Sequence, residues 1–204
     1  MKTRILSMLS LALVMAILSS FSVTKKTAGA PEWNVDYAHS SISFTISHFF
    51  TPVQGAFDKF EGKLMFDPED MGSSKAEFTV DIESINTKNA KRDGHLKSED
   101  FFNTSEWPTM QFVSEKFEAK GDNKFLVHGK MTIRDVTKDV TVPFELLGVR
   151  DHLMMEGTLV GGIKAEFNLN RNDYGVGTGD WAATAVIGDE VNITLFFEVN
   201  RPKS

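Results

Sequence analysis

The sequence predicts an all-β, antiparallel domain of about eight strands, and three observations carry that reading. Runs in which large apolar and polar residues alternate recur from Ser40 to Val199, and a period of two is the mark of a strand with one buried face. The links between several runs are short, as in "RDVTKD" (134–139), which suits hairpins, whereas parallel strands need crossovers of a dozen or more residues. The runs follow one another at the spacing of a β-sandwich or barrel.

Taken in order, the chain opens with Lys2 and Arg4 before an apolar run from Ile5 to Leu18, then Ser20 and Ser22. This is the layout of a secretory signal peptide over residues 1–22. The run is shorter than the ~20 residues of a spanning helix, the competing reading being an uncleaved anchor. Residues 23–32, "VTKKTAGAPE", read as a flexible lead-in to a domain over 33–204. The expected location is periplasmic or secreted. The chain has no cysteine, so lipoprotein anchoring, disulfides and thiol redox chemistry are excluded and the domain rests on core packing. Its 22 basic residues fall short of its 28 acidic ones, and losing Lys2 and Arg4 widens the gap. That balance argues against nucleic acid, which demands clustered Lys and Arg, and against anionic membrane surfaces. No stable membrane insertion is expected after cleavage.

The first clear strand is "SSISFTISHFF" (40–50), where Ile42, Phe44 and Ile46 share a face and His48 is next in phase. Phe60, Gly62, Leu64 and Phe66 form the second inward lane, before a turn at Asp67, Pro68 and Glu69. Ala76, Phe78, Val80 and Ile82 face inward in the third, with Lys75, Glu77, Thr79 and Asp81 outward. The rhythm returns at Phe125 to Ile133, at Val140 to Leu146, at Ile163 to Leu169 and at Val191 to Val199. Weaker runs lie at Met110–Phe117 and Leu153–Leu159. One segment, Asn86 to Pro108, is charged and lacks period two; a short helical insertion is expected around residues 87–106.

The inward phase contains Gly62, Ala76, Gly129 and Ala165, each leaving volume in mid-strand if the sheet closes into a barrel. Gly62 and Gly129 equally suit bulges that curl the sheet, and both readings stand. A cavity here would be lined by Ile42, Phe44 and Ile46, by Phe60, Gly62, Phe78 and Val80, and by Phe101, Phe102 and Phe112. Gly129, Met131, Phe144, Ala165 and Phe167 would complete it. Such walls suit a long apolar chain rather than a sugar or nucleotide. His48, ending an apolar lane, could bind a head group, or close a core strand with a protein partner.

Other chemistries find little support. The five histidines show no zinc-ligand spacing, and no Gly-x-Ser-x-Gly elbow is present. "GVGTGD" (175–180) lacks the Lys of a phosphate loop and reads as a glycine-rich connection. Asn103-Thr104-Ser105 and Asn192-Ile193-Thr194 match glycosylation sequons, a short pattern that arises readily by chance.

The segments "HSSISFTISHFF", "GAFDKFEGKLMFDPED", "INTKNAKRDGHLKSEDFFNTSEWPTMQFVS", "VHGKMTIRDVTKDVTV" and "FNLNRNDYGVG" together resemble, in that order, the YceI-like family of bacterial exported proteins. "RDGHLKSEDFF" is the most specific of them. Asp135 departs from the glycine more usual in the family, a change a turn tolerates. The resemblance implies a lipocalin-like, extended antiparallel barrel that holds a polyisoprenoid or similar amphiphile in its cavity, with no enzymatic activity established for the family as a whole. The expected function is an exported carrier, store or stress-related buffer for a polyprenyl lipid or isoprenoid quinone, with no other cofactor. A homodimer stays open. The alternative is an enzyme or stress-response protein acting on a small amphiphile through Arg92, Asp93 and His95. For the head group, Arg92 suits an anion, and His48 or His95 a quinone carbonyl. Arg92 and Asp93 equally suit pairing with each other or with the loop backbone.

Overall fold

The computed structural model describes residues 29–183 and 185–203; the leader expected over 1–22 lies outside them. Ten strands and one helix follow in the order β1 (Glu32–His48), β2 (Thr51–Phe57), β3 (Phe60–Met65), β4 (Lys75–Asp81), β5 (Ile85–Asn86), α1 (Ala90–Lys97), β6 (Thr109–Gly121), β7 (Lys124–Ile133), β8 (Val136–Asp151), β9 (Thr158–Asn170) and β10 (Ile187–Pro202). Eight of them, β1, β3, β4 and β6 to β10, close an antiparallel barrel, the last seam being β10 against β1. The predicted fold class is therefore the observed one.

β1 serves two neighbours. Glu32 and Trp33 pair with Met65 and Leu64 of β3, while Ile42 to His48 pair with β2. Between the pairs Asp36–Glu198 and Ser41–Phe196 the register slips, β1 carrying four residues against one on β10, and such a bulge bends the strand. β2 carries β5 on its outer edge through Ala56–Asn86 and Phe57–Ile85, and α1 follows β5 to border the cavity through Lys91, Arg92, His95 and Leu96. The helix is short, capped by Asn89 Oδ1, which accepts from the Arg92 amide at 3.1 Å. It falls inside the predicted helical insertion.

The structure differs from the sequence reading at several points. β2 had no alternating run to betray it, because Pro52 and Gly55 interrupt the pattern; Gly55 is needed because the Phe44 ring lies across it, 2.3 Å from where a Cβ would sit. The run Leu153–Leu159 is a hairpin tip rather than a strand: β9 begins at Thr158 and Leu153 and Met154 stand in solvent. β4 stops at Asp81, whose carboxylate accepts the Glu83 amide at 2.9 Å and turns the chain so that Ile82 is fully buried. The end of the segment read as a lead-in is tied down. The Ala30 amide donates to Ser73 Oγ at 2.9 Å, and Pro31 carbonyl accepts from the Phe66 amide at 3.1 Å.

The two ends of the barrel are packed differently. At the end where β6 meets β7 and β8 meets β9, the Phe66 ring contacts the rings of Phe117, Phe125 and Phe144 at 5.2–5.9 Å. Phe144 also stacks on Phe125 at 5.2 Å, so the rings form a solid floor. Trp33 closes it from the side, its indole N–H donating to the Phe66 carbonyl at 3.0 Å. At the other end stand the β1–β2 turn, α1 and the loops after β9, around open space.

Candidate functional site

The open end leads into a cavity of about 490 Å³, walled by apolar side chains from β1, β2, β6, β9 and β10, among them Phe44, Ile46, Val53, Phe57, Met110 and Ile193. A second space of about 140 Å³ lies deeper, bounded by Ala76, Phe78, Met131, Phe144, Ala165 and Phe167. Phe57, Met110, Leu169 and Ile193 line both spaces, so the two adjoin across these side chains and follow one another as an apolar lane above the phenylalanine floor.

The first strand's phase now has a structural meaning. Ile42 is buried, Phe44 and Ile46 are half-buried, and His48 is exposed, so the lane rises from packed core through cavity wall to the rim. His48 lines the mouth.

Arg92, Asp93 and His95, adjacent in sequence, do not converge on one point. Thr87, buried just before α1, ties down the first two. Its hydroxyl accepts from Arg92 Nε at 2.7 Å and donates to the Asp93 carboxylate, while its carbonyl accepts from Arg92 Nη2 at 2.8 Å. Asp93 also accepts the Thr87 amide at 2.9 Å. Arg92 thus meets the loop, not Asp93, yet it still borders the cavity, as Asp93 does not. His95 faces the mouth between the rings of Phe101 and Trp181, at 4.9 and 4.8 Å, with Nε2 2.8 Å from Asp100.

Eleven of the fifteen apolar residues read from sequence as lining a cavity do border one of the two spaces: Ile42, Phe44, Ile46, Phe78, Phe101, Phe102, Phe112, Met131, Phe144, Ala165 and Phe167. Phe60, Gly62, Val80 and Gly129 do not. Phe60 is one ring of a stack in which Phe197 lies 5.5 Å away, with Phe78 beyond it at 5.0 Å. Val80 is core. The glycines leave no volume, because neighbouring rings fill it: a Cβ on Gly62 would lie 2.1 Å from the Phe78 ring, and one on Gly129 would lie 2.3 Å from the Val113 carbonyl and 2.8 Å from Phe112. Gly129 faces the slip in β6 between Ser114 and Lys116, so the bulge reading holds there and the empty space lies at Ala76 and Ala165.

Two residues that organise the mouth were not singled out from sequence. Arg171, buried at the end of β9, spends all five donors on backbone carbonyls: Nε on Gly188, Nη1 on Val176 and Gly177, Nη2 on Trp181 and Ile187, at 2.8–3.1 Å. Burial pushes its pKa down and the nearby Asp189 opposes this. Gly177 (φ +78°) has no room for a Cβ, which would meet Arg171 Nη1 at 2.4 Å. Arg134 works alike from the β7–β8 turn, donating to the carbonyls of Phe101 and Gly175 with its guanidinium 4.6 Å above the Trp107 ring. The signal in "NRNDYGVGTGD" is an arginine opening a glycine-rich loop whose bare carbonyls need a donor. Tyr174 is buried beside Arg171 and borders the cavity; burial raises its hydroxyl pKa, Asp173 adding to the effect.

The larger space is bordered by Lys91, Arg92, His48, His95 and Arg171 and by no Asp or Glu. A metal-capable trio, Asp36, His39 and Glu198, lies elsewhere, at the bulge on β1. There Asp36 and His39 pair at 3.0 Å, which lowers the carboxyl and raises the imidazole pKa. Among the described residues no helix is long and apolar enough to cross a membrane.

Comparison with known proteins adds the following. The sequence profile of the YceI-like domain matches residues 33–199. A "UPF0312 protein" of Staphylococcus aureus (strain MSSA476) is 39% identical over 142 residues, 69% of this chain and 80% of the relative. Another, from Shewanella denitrificans, is 32% identical over 139 residues, 67% and 73% of the two chains. Among solved structures, Burkholderia cenocepacia BcnA superposes with a TM-score of 0.72 at 29% identity, over 82% of this chain and 99% of that one. A polyisoprenoid binding domain from Saccharophagus degradans gives 0.62 at 15% identity, over 83% and 98%, a likeness of fold.

Proposed function

The chain belongs to the YceI-like domain family, and from that premise we propose that it is an exported binding protein whose barrel holds one isoprenoid or similar amphiphilic lipid, as carrier, store or buffer. The observation that carries this is the lane itself. It is apolar from the rim to the phenylalanine floor, opens at one end, and is bordered at the mouth by Lys91 and Arg92. An apolar tail gains by leaving water for such a wall, at about 25 cal/mol per Å² buried. A polar head then rests where Arg92, Lys91, His48 and His95 meet solvent, and Arg92 offers donors suited to phosphate. Binding is favoured over catalysis because Arg92 and Asp93 are occupied with Thr87 and stand apart from His95. Export rests on the layout of residues 1–22.

The test is native mass spectrometry of the protein purified from its own host. The expected result is a chain lacking Met1 to Ser20 that carries one prenyl-type lipid, with occupancy reduced in Arg92→Ala or His48→Ala protein at equal foldedness. A full-length chain removes the export reading. Protein that is always lipid-free, and that takes up no prenyl lipid when offered it, removes the binding reading.

A further inference from the structure

A lipid this apolar does not travel free in water, so the mouth must meet the phase that supplies it. The β1–β2 turn stands at that mouth. His48 and Val53, on either side of the turn, both border the cavity. Between them Phe50 is 100% exposed and Phe49 58% exposed. The Phe49 amide donates to the Val186 carbonyl at 2.8 Å, and Val186 is exposed as well. Phe49 has φ +50°, a left-handed conformation that glycine or asparagine adopts freely and a bulky residue does not. Folding alone does not call for phenylalanine at this position, since its ring packs into no core. An aromatic pair in solvent marks a surface meant for something apolar.

We infer that this turn, with Phe49 and Phe50 as wedge and with Lys91 and Arg92 bordering the same cavity, docks the mouth on a lipid bilayer bearing anionic head groups, so that lipid passes between bilayer and barrel. The inference rests on the lipid-binding reading above. The bilayer is favoured by charge. The chain as a whole is acidic, −6, yet the residues bordering the cavity include Lys91, Arg92, His48 and His95 and no acid, the neighbouring acids Asp93 and Asp100 being engaged by Thr87 and His95. Basic residues near an anionic leaflet add to the attraction, and aromatic rings sit well at the head-group level. Position supports it too, because the Phe49 ring rests edge-to-face on His48, 4.9 Å away, and His48 borders the lane. The overall charge, which as a sequence property argued against membranes, is thus the wrong quantity; the charge at the mouth is the relevant one. The opposite tip also exposes apolar groups, Leu153 and Met154, but beside Asp151 and Glu156 and below the floor, with no access to the cavity.

The experiment is co-flotation of the full mature protein with phosphatidylcholine vesicles, with and without phosphatidylglycerol. Wild-type protein is expected to bind the anionic vesicles more strongly. Phe49→Asn with Phe50→Ser is expected to weaken that binding by about tenfold or more, Lys91→Glu to weaken it on anionic vesicles only, and Leu153→Ser with Met154→Ser to leave it unchanged. All four proteins should unfold at the same midpoint. Wild-type protein that ignores both vesicles, a Phe49/Phe50 variant that binds as wild type, or equal loss in the Leu153/Met154 variant overturns the inference. Uptake of farnesyl phosphate from solution separates this from the binding reading. The Phe49/Phe50 variant should take it up normally, and failure of every protein to do so removes the binding reading while the vesicle result still decides the docking one.

Discussion

The floor and the mouth of this barrel are held together by different chemistry. At the floor, Phe66, Phe117, Phe125 and Phe144 touch ring to ring and the packing leaves no room. At the mouth, Arg171 and Arg134 gather loop carbonyls, and Thr87 gathers Arg92 and Asp93. Apolar packing stabilises by filling space. Guanidinium-to-carbonyl bonding fixes loops while leaving space beside them. A barrel that must be both stable and hollow can therefore assign stability to one end and volume to the other, as this one does.

The contrast breaks most visibly at the floor. Phe66→Ala should cost about 3–5 kcal/mol of unfolding free energy by leaving a cavity among three rings, measured by denaturant titration. A loss below about 1 kcal/mol would mean that the floor is not the stable end.

At the mouth, Arg171→Lys keeps the charge but has three donors in place of five, leaving carbonyls unpaired. The expected cost is about 1–3 kcal/mol, with faster amide exchange confined to residues 175–188. Exchange rising equally in β6 to β8 would show that mouth and floor are one unit.

Between the two ends, Gly129→Ala and Ala165→Val separate packed from empty volume. The first pushes a methyl to 2.3 Å from the Val113 carbonyl and should cost about 1–3 kcal/mol. The second grows into the deeper space and should cost less than about 1 kcal/mol while lowering lipid occupancy. Reversed costs would place the void at the glycine.

The smallest effect concerns Tyr174. Burial raises its pKa, so the folded state favours the neutral phenol. Its contribution to stability is full below the unfolded value near 10 and is lost as pH rises through the folded value. In Tyr37→Phe protein, where Tyr174 is the remaining tyrosine of the two, tyrosinate absorbance should appear at higher pH folded than unfolded. Coincident curves would place the hydroxyl in water.

Alternation made the barrel legible in the sequence, because a period of two follows directly from one wet and one buried face, and Ile42, Ala165 and Phe167 were placed correctly by it. Gly62 and Gly129 misled because inward phase says which way a residue points and not whether a neighbour's ring covers it. β2 was hidden by Pro52 and Gly55, and the tip at Leu153 was mistaken for a strand because exposed apolar residues mimic a run. Arg171 and Arg134 escaped notice since their partners are backbone carbonyls, which leave no pattern in the spacing of side chains.

The central claim is that a lipid tail lies in the lane above the phenylalanine floor. A prenyl phosphate with a photoreactive diazirine at the far end of its tail tests this most directly, followed by peptide mapping of the adduct. Labelling at the deeper wall, on Met131, Ala165 or Phe167 and competed by unlabelled lipid, is the predicted result. Labelling confined to the exposed tips at Phe50 or Met154, with the inner wall untouched, would contradict it.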